Sequence, residues 1–261
     1  MAGEKEQARG ASVIVNVMDV LRCFTSSEPS QSVTGIAAQV GLHKSSVSRI
    51  LSTLEQESVV ERDPASRKYR LGLGLIAIAG PLLANLDVRH VALGAMRTVA
   101  ENSGETVALS VWDGHEAVTV EQIPSSRPVK HTSALGSRYS TGGSATVQVF
   151  LAAHAERADE LLGSGQIELP PGEGSESYRR RLRKVGELGY GVNYGETSPD
   201  EAGVAAPVRD HRGEVVAALL VAAPFFRVSE KDVETIAELC RAAAGEIGRR
   251  LGSHDPAAPL H

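Results

Sequence analysis

A segment near the N-terminus, GLHKSSVSRILSTLE at 41–55, sorts its residue types onto two faces of a predicted helix. Its apolar residues recur at the spacing of a core-facing stripe, at Val47, Ile50, Leu51 and Leu54. The opposite face and its flanks carry short hydroxyls and two cations, namely Lys44, Ser45, Ser46, Ser48, Arg49 and Ser52. This face has no acid before Glu55, so it offers hydrogen-bond donors and positive charge to an anionic partner that is rich in acceptors.

A second, shorter helix must precede this one and set its position. In SVTGIAAQVG, Ser32 is a candidate N-cap and Gly41 ends the apolar pattern, so the next helix begins within about three residues. Two short helices that cross steeply need a small residue at the crossing, a glycine in the turn and a branched apolar residue in the second helix. Ala37, Gly41 and Val47 supply these at separations of four and six residues, which predicts a helix-turn-helix.

The residues after the helix-turn-helix alternate as an edge hairpin. Strand 59–62 leads into a turn at 63–66, and strand 67–71 returns with Arg67 and Lys68 at the tip. A basic hairpin in this position is a wing, whose cations reach phosphates or the minor groove while the helix enters the major groove. The predicted DNA contacts are Ser32, Thr34, His43, Lys44, Ser45, Ser46, Ser48, Arg49, Ser52, Arg67 and Lys68. Helix-turn-helix folds also serve as protein-docking modules, and that alternative stays open.

The distribution of charge agrees with one basic face on an acidic protein. Residues 1–75 hold 9 Lys and Arg against 8 Asp and Glu, whereas residues 76–261 hold 18 against 24, which together give the net charge of −5. The N-terminus lacks a secretory signal and no apolar run reaches the roughly 18 residues of a membrane span, so we expect a cytoplasmic protein. Cys23 and Cys240 are expected to be buried, unpaired thiols in a reducing compartment.

The rest of the chain predicts a connector and a larger α+β domain. GLIAIAGPLLANL is typical of an apolar helix interrupted at Pro81, which suits a linker helix over 74–86 or a dimer helix. Strands are expected at ETVALSVW, AVTVEQI, GVAAPV and VVAALLVAA, with a helix that begins at Asp87 and further helices at about 145–163, 175–188 and 229–251. The predicted domains are a disordered 1–12, a DNA-binding domain at 13–73, the linker, an antiparallel-looking α+β domain at 87–252 and a disordered tail at 253–261.

From about Val13 to Leu251 the sequence resembles the IclR type of transcriptional regulator. The resemblance runs in order through GLHKSSVSRILSTLEQESVVERD, YRLGLGL, SGETVAL, GSRYSTGGSATVQVFLA, ELGYGV, AAPVRD and VVAALLVAAP. It implies a winged helix-turn-helix, a linker helix and an α/β, GAF-like domain that binds a small-molecule effector. One helix-turn-helix covers only a few base pairs, so we expect a homodimer or homotetramer on a pseudo-palindromic double-stranded DNA operator.

The resemblance also implies an effector site between the STGGSAT loop and the last two long strands. Its residues are Gly143, Ser144, Ala145, Asn193, Gly203, Val204, Leu220 and Ala222. In the family an aspartate often stands at the position of Asn193, a cysteine or serine at Gly203, and serines at Leu220 and Ala222. The loss of these groups makes burial of a small carboxylate costly. We therefore expect a larger, mostly apolar or aromatic effector, bonded by Ser144 and Asn193, for a repressor of an adjacent catabolic or metabolic operon.

Enzymatic alternatives have weaker support in the sequence. GLGLIA at 72–77 fits a dinucleotide-binding pattern, but the strand before it is charged and no βαβ unit follows. GGSAT at 142–146 is one glycine short of a nucleophile elbow, and Ser144 suits a helix N-cap better. The histidines show no metal-ligand spacing and the carboxylates no catalytic pairing, so no catalytic residue, metal or cofactor is predicted. A serine-type hydrolase and a ligand-independent DNA-binding protein remain as alternatives.

Overall fold

The computed structural model describes residues 13–25, 27–84 and 87–253, and the chain divides into two compact units between residues 85 and 86. The first unit contains helices α1 (13–22), α2 (Val33–Val40) and α3 (Lys44–Gln56), strands β1 (Val60–Arg62) and β2 (Tyr69–Leu71), and helix α4 (Gly74–Ala84). Of the segments predicted to be disordered, 1–12 and 254–261 lie outside the described residues. Ser253, which the prediction assigned to the tail, is buried, and its N–H donates to the carbonyl of Gly248.

The core of the first unit is built from one side of each of the first three helices and from the hairpin. Val20 of α1, Ile36 of α2, Val47 and Leu51 of α3 and Tyr69 of β2 are each 4% exposed or less. Val47 and Leu51 are four residues apart, so both lie on the inner face of α3, and the opposite face is left to the solvent. The apolar stripe predicted for this helix is therefore confirmed.

The turn between α2 and α3 has the geometry that the sequence predicts. The Ser32 side chain accepts a hydrogen bond from the N–H of Gly35 and caps α2. Gly41 ends α2 in the left-handed conformation, at φ 68°, and its N–H donates to the carbonyl of Ala37. Ala37 and Val47 are both buried. The predicted helix-turn-helix is confirmed.

The hairpin after α3 pairs Val60 with Leu71 and Arg62 with Tyr69. Gln31, just before α2, forms a further antiparallel bridge with Tyr69, in which each N–H donates to the other's carbonyl at 2.8 Å. The sequence did not predict this bridge, because a single bridging residue has no alternating pattern. It connects the hairpin to the start of α2, so these two parts of the first unit are held together by backbone hydrogen bonds.

Helix α4 differs from its prediction at Pro81. The sequence predicts an interruption there, but the helix runs from Gly74 to Ala84 without a break. Proline lacks only its own N–H, which would donate to the carbonyl of Ala77, and the turns on either side of that missing bond stay helical. The N–H of Gly74 donates to the carbonyl of Ser58, so α4 starts against the chain that leaves α3.

The second unit is an α+β domain around one six-stranded sheet with the order β5-β4-β3-β8-β7-β6. Its elements are α5 (Asp87–Ser103), β3 (Thr106–Trp112), β4 (Ala117–Ile123), β5 (Arg138–Tyr139), α6 (Ala145–Ala153), α7 (Ala155–Gly163), α8 (Ser175–Leu188), β6 (Gly191–Tyr194), β7 (Glu201–Arg209), β8 (Val215–Pro224), a 3-10 turn (Phe225–Arg227) and α9 (Glu230–Arg250). Every strand pairing is antiparallel, as predicted. Strands β5 and β6 were not predicted, because two and four residues are too few to show alternation.

Both faces of this sheet are buried, and alternation along each strand decides which residues lie on which face. Ala108 and Leu220 lie on the face that packs against α6 and α8, which we call the α6 face. Leu109 and Leu219 lie on the opposite face, against α5 and α9, which we call the α9 face. A strand buried on both sides has no polar face, which explains the uninterrupted apolar sequence of β8.

The helical segment after the STGGSAT loop differs from its prediction. The single helix predicted over about 145–163 is two helices, because the backbone leaves helical geometry at His154, at φ −132°, without a glycine or proline to signal the break.

The two cysteines are free and buried, as predicted, and burial raises the pKa of the Cys240 thiol to about 12. Within the described residues, no helix has the length and apolar character needed to span a membrane.

Candidate nucleic-acid interface and effector site

The outer face of α3 collects most of the residues predicted to bind DNA. The exposed ones are His43, Lys44, Ser45, Ser48, Arg49 and Ser52, and Ser46 is half-buried. His43 stands at the N-cap position without a side-chain capping bond, and the first turn contains no acid. The first backbone N–H groups and the positive end of the helix dipole therefore remain available to an anion.

Most cations around this face have no partner within the described parts of the chain. The exposed cations of α3 and the wing that have no hydrogen bond, ion pair or ring contact to another described residue are Lys44, Arg49, Arg67 and Lys68. Two neighbours are engaged: Arg70 donates to the Glu61 carboxylate at 3.1 and 2.9 Å, and the guanidinium of Arg62 lies 5.5 Å from the centre of the Tyr69 ring. The four unpaired cations thus contribute their full charge to the field outside this surface.

Asp63 holds the tip of the wing. Its carboxylate accepts hydrogen bonds from the N–H groups of Ala65 and Ser66, at 2.7 and 3.3 Å, and these bonds hold the pKa of that carboxyl below its usual range. Arg67 closes the turn in the left-handed region, at φ 58°, and its N–H donates to the carbonyl of Asp63. This conformation is strained for a residue other than glycine, and it leaves the Arg67 and Lys68 side chains exposed at the end of the hairpin.

The remaining predicted contacts, Ser32 and Thr34, lie at the start of α2. The Ser32 oxygen accepts from the N–H of Gly35 at 3.1 Å, so its hydroxyl proton is left to donate to another partner. Thr34 is exposed and lines an open depression together with Lys44 and Ser45. The structure places all of the predicted DNA contacts on α2, α3 and the wing of one unit, and Ser32 has a structural role there as well.

The predicted effector residues of the sheet are neighbours on the α6 face. Asn193, Gly203 and Ala222 lie opposite one another across β6, β7 and β8, and Leu220 is two residues from Ala222. All four are buried. A Cβ built on Gly203 would lie 3.2 Å from Cδ1 of Leu220, so the leucine fills the space that a larger side chain at position 203 would need.

Val204, the remaining predicted effector residue of the sheet, differs from this group in the direction of its side chain. It follows Gly203 in β7, and consecutive side chains of a strand point to opposite faces. Val204 lines, together with Val221, Val233 and Ile236, a space that is too narrow for a water molecule, and Asn193 and Gly203 also border this space. The Val204 side chain itself points towards α9, on the face opposite to Leu220 and Ala222.

Two buried side chains fix the loop that leads into α6. The Nε2 of Gln148 donates to the carbonyls of Gly142, Gly143 and Val192, at 3.2, 3.3 and 2.8 Å. The Tyr178 hydroxyl donates to the carbonyl of Gly142 at 3.0 Å, and burial raises the pKa of this phenol. A Cβ on Gly142 would lie 2.8 Å from the Tyr178 ring, so the close approach of the loop requires glycine. The loop is thereby held against β6.

Ser144 and Asn193, the expected hydrogen-bond partners of the effector, both have partners within the protein. Ser144 stands at the N-cap position of α6, as predicted, but its hydroxyl bonds that of Thr146 at 2.9 Å and does not cap the helix. Asn193 Oδ1 accepts from the N–H groups of Glu196 and Thr197, at 2.9 and 3.2 Å, and its Nδ2 donates to the Thr197 hydroxyl. Asn193 therefore holds the loop after β6.

A buried polar cluster on the same face, in and beside β3, β4 and β5, was not predicted from the sequence. The hydroxyls of Thr119, Ser133 and Tyr139 bond in a chain, at 2.9 and 3.1 Å. Ser110 lies opposite Thr119, and Gln122 lies on the same face of β4. A signal was present for Ser110, since the serine inside VALSVW is an inward position of an otherwise apolar strand, whereas Gln122 stands in a strand that also contains Thr119 and Glu121.

One group of ligand-type side chains in the described chain lies elsewhere in the second unit. Asp113, His115 and Glu116 bring a nitrogen and two carboxylates within 4.8 Å of one another. Arg138 bonds both carboxylates, through Nη2 to Asp113 and through Nε to Glu116. The arrangement is therefore an ion-pair network around Arg138, and this arginine explains why two carboxylates lie close together here.

Comparison with known protein families assigns both units. A model of the IclR helix-turn-helix domain matches residues 13–64, and a model described as the bacterial transcriptional regulator IclR C-terminal domain matches residues 81–249. With the outward-facing α3 and its wing, these matches define a DNA-binding transcriptional regulator with a C-terminal α/β domain. The chain belongs to the IclR family. Regulators of this family are non-enzymatic transcription factors, so the hydrolase alternative is set aside.

Individual relatives are similar over nearly the full chain. The HTH-type transcriptional regulator KipR of Bacillus subtilis (strain 168) is 29% identical over 248 residues, which are 92% of this chain and 96% of KipR. The HTH-type transcriptional repressor AllR of Escherichia coli (strain K12) is 28% identical over 248 residues, 94% of this chain and 92% of AllR. The crystal structure of an IclR homologue from Microbacterium hydrocarbonoxydans, complexed with 4-hydroxybenzoate, has a TM-score of 0.75 at 26% identity and covers 92% of this chain and 98% of that one.

Proposed function

We propose that this protein is a cytoplasmic repressor of an adjacent catabolic or metabolic operon and that an effector modulates its binding to a pseudo-palindromic operator. The observation that carries this proposal is the set of unpaired, exposed cations Lys44, Arg49, Arg67 and Lys68. They accompany exposed hydroxyls and an acid-free first turn of α3, which supports phosphate contacts around a helix in the major groove. The name of AllR, a repressor, supports the sign of regulation.

The active form in this proposal is a homodimer or a dimer of dimers. Large apolar side chains of the first unit are 45% to 72% exposed: Val13, Ile14, Val15, Met18, Leu73, Ile76 and Ile78. Exposed apolar surface of this kind marks an interaction site, and a second copy would bring two α3 helices onto half-sites about one helical turn apart. An Ile76→Glu, Ile78→Glu double variant is expected to have half the wild-type mass in light scattering and to lose operator binding. An unchanged mass would contradict this interface.

For the effector we propose a molecule that is larger than a two- or three-carbon oxo acid and mostly apolar or aromatic. Leu220 and Ala222 bring no hydrogen-bond donor to the α6 face, and Asn193 already uses its amide within the protein. Burying a carboxylate without donors costs several kcal/mol, which disfavours a ligand that is little more than a carboxylate. The relative whose structure holds 4-hydroxybenzoate supports an aromatic ligand. The proposed site consists of Gly143, Ser144, Ala145, Asn193, Gly203, Val204, Leu220 and Ala222. Val204 adds no side chain to the α6 face of this site.

The DNA upstream of the protein's own gene provides the test. In a gel shift, the full-length protein is expected to bind this DNA in preference to a scrambled fragment of the same length and composition. Saturating benzoate or 4-hydroxybenzoate is expected to change the operator affinity at least about fivefold, and glyoxylate and pyruvate, as matched small acids, are expected to leave it unchanged. A response to glyoxylate alone would contradict the proposed effector class. Equal affinity for operator and scrambled DNA would contradict the regulator proposal.

A ligand-independent DNA-binding protein is the second candidate. The observation in its favour is that Leu220 occupies the space above Gly203 and Asn193 is bonded within its own loop. If the protein binds DNA without an effector, calorimetry should show no heat of binding for benzoate, 4-hydroxybenzoate, glyoxylate or pyruvate. None of the four should change the operator affinity.

A further inference from the structure

Two buried oxygens on the α6 face have no hydrogen-bond partner within the described residues. They are the hydroxyl of Ser110 and Oε1 of Gln122. Ser110 lies inside β3 and is 0% exposed, with Thr119 opposite it on one side and Ala218 on the other. A buried polar group without a partner is destabilising, so a native fold that keeps two of them side by side needs a reason other than stability.

Other hydroxyls of this face are bonded without involving these two side chains. Thr119 bonds Ser133, which bonds Tyr139. Thr106, on the same face of β3 as Ser110, donates its hydroxyl to the carbonyl of His131 at 2.6 Å. His131 Nε2 also lacks a hydrogen bond within the described residues, but it lies 3.7 Å from the Glu201 carboxylate. Ser110 and Gln122 therefore differ from the neighbouring hydroxyls, which are bonded within the protein.

The register places these two side chains close together and next to the proposed effector residues. Ala108 lies opposite Gln122 on β4 and opposite Leu220 on β8, and Ser110 is two residues along β3 on the same face. The pairing of β3 with β4 shifts by one residue between Leu109 and Ser110, so Ser110 lies opposite Thr119, three residues before Gln122. Ser110 and Gln122 are therefore near neighbours across the β3–β4 pair, on the two sides of this bulge.

We propose that Ser110 and Gln122 bind a hydroxyl group of the effector. A hydroxyl is the group that can do both things the two side chains need, because it can accept the proton of Ser110 and donate its own to Oε1 of Gln122. A carboxylate has only acceptors and cannot serve Oε1, and an unsubstituted aromatic edge serves neither oxygen. This inference rests on the proposed function and deepens it, since it makes the ligand a hydroxylated, otherwise apolar or aromatic molecule.

Calorimetry on the full-length protein tests the inference with three probes: benzoate, 3-hydroxybenzoate and 4-hydroxybenzoate. At least one hydroxybenzoate is expected to bind about tenfold or more tightly than benzoate, because a site built to bond a hydroxyl discriminates against the analogue that lacks it. Benzoate that binds as tightly as both hydroxybenzoates would overturn the hydroxyl subsite and leave the effector proposal standing. Failure of all three probes to bind would contradict the aromatic effector itself and this inference with it.

Variants of the two side chains test the assignment directly. Ser110→Ala and Gln122→Met are each expected to reduce the preference for the hydroxylated probe at least about threefold and to leave benzoate affinity within about twofold. Ser110→Ala is also expected to raise the melting temperature of the ligand-free protein by about 1 to 4 °C, because it removes a buried hydroxyl that has no partner. That readout needs no ligand.

Thr106→Val is the matched control on the same strand and the same face. It removes a buried hydroxyl that has a partner, so it is expected to lower the melting temperature and to leave the preference for the hydroxylated probe unchanged. If Ser110→Ala behaves like Thr106→Val, with a lower melting temperature and an unchanged preference, the inference is overturned and Ser110 has a structural partner such as a bound water. If Gln122→Met fails to fold, the Ser110 variant and the three wild-type affinities still decide the question.

Discussion

Polar side chains differ in their partners between the DNA-binding surface of the first unit and the α6 face of the second unit. On the DNA-binding surface, Arg49 and the neighbouring cations Lys44, Arg67 and Lys68 are exposed to water and have no partner in the described chain. On the α6 face, buried groups such as Gln148 and Asn193 are bonded within the protein. An exposed polar group can lack a protein partner at little cost, whereas a buried one cannot. An unpartnered buried oxygen is therefore a stronger sign of a ligand than an unpartnered surface cation.

The largest expected effect is at Arg49, where a substitution should remove specific DNA binding. Arg49→Ala is expected to abolish the preference for operator over scrambled DNA, because a lost base contact of this type is worth about 1 to 3 kcal/mol at each half-site. The free energy of unfolding should change by no more than about 0.5 kcal/mol, since the side chain is exposed and unpaired. Arg22→Ala is the control, because Arg22 is exposed and already paired with Asp19. Wild-type operator affinity in the Arg49 variant would contradict this assignment.

A substitution at Leu220 tests whether the α6 face binds the effector. Leu220→Trp is expected to abolish the response to the effector while operator binding persists, because Cδ1 of Leu220 already lies 3.2 Å from the Cβ position of Gly203. Overfilling the face should also lower the free energy of unfolding by about 1 to 3 kcal/mol. The volume-conserving Leu220→Met is expected to keep the response. Titration of the operator complex with 4-hydroxybenzoate measures both variants, and a normal response in the tryptophan variant would show that the site is elsewhere.

Substitutions at the turn between α2 and α3 should lower the stability of the first unit rather than remove contacts with DNA. Gly41 has open space around its Cβ position, so Gly41→Val is expected to cost about 1 to 3 kcal/mol through its left-handed backbone alone. Gly41→Asn should be tolerated, since asparagine adopts this conformation more readily. Ala37→Leu should cost a similar amount by separating α2 from α3. Calorimetric melting measures all three, and normal melting of the valine and leucine variants with loss of DNA binding would refute the packing role.

The smallest expected effects are at the wing. Arg67→Ala and Lys68→Ala should weaken binding to all DNA sequences and reduce the slope of log affinity against log salt by about one unit for each lost contact. Arg67→Gly sharpens this test, because it removes the same charge and also relieves the strain at φ 58°. It should match Arg67→Ala in DNA binding and exceed it in melting temperature. A loss confined to the operator sequence would mean that the wing reads bases.

The helix-turn-helix and the wing of the first unit could be predicted because their signals are local. The cap at Ser32, the turn at Gly41 and the stripe through Val47 and Leu51 each depend on residues within one or two helical turns. The bridge between Gln31 and Tyr69 was missed, because it joins segments far apart in the sequence. Local signals also predicted the wing and its exposed cations.

The effector region was predicted less well, since its chemistry is decided by tertiary contacts. The resemblance supplied positions along the chain, but alternation within β7 directs the Val204 side chain to the face opposite to that of Ala222, the partner of Gly203. The partners of Asn193 come from the loop after β6, and the absence of partners at Ser110 depends on three strands packing together. Neither fact can be obtained from composition or spacing.

Hydroxyl-radical footprinting of the DNA upstream of the protein's own gene shows whether α3 reads a specific operator. We expect two protected patches on one face of the duplex, separated by about one helical turn or a multiple of it. Both patches should be lost together in Arg49→Ala and persist in Arg22→Ala. A wild-type protein that leaves no sequence-specific footprint, or an Arg49→Ala footprint identical to that of the wild type, would contradict operator recognition by α3.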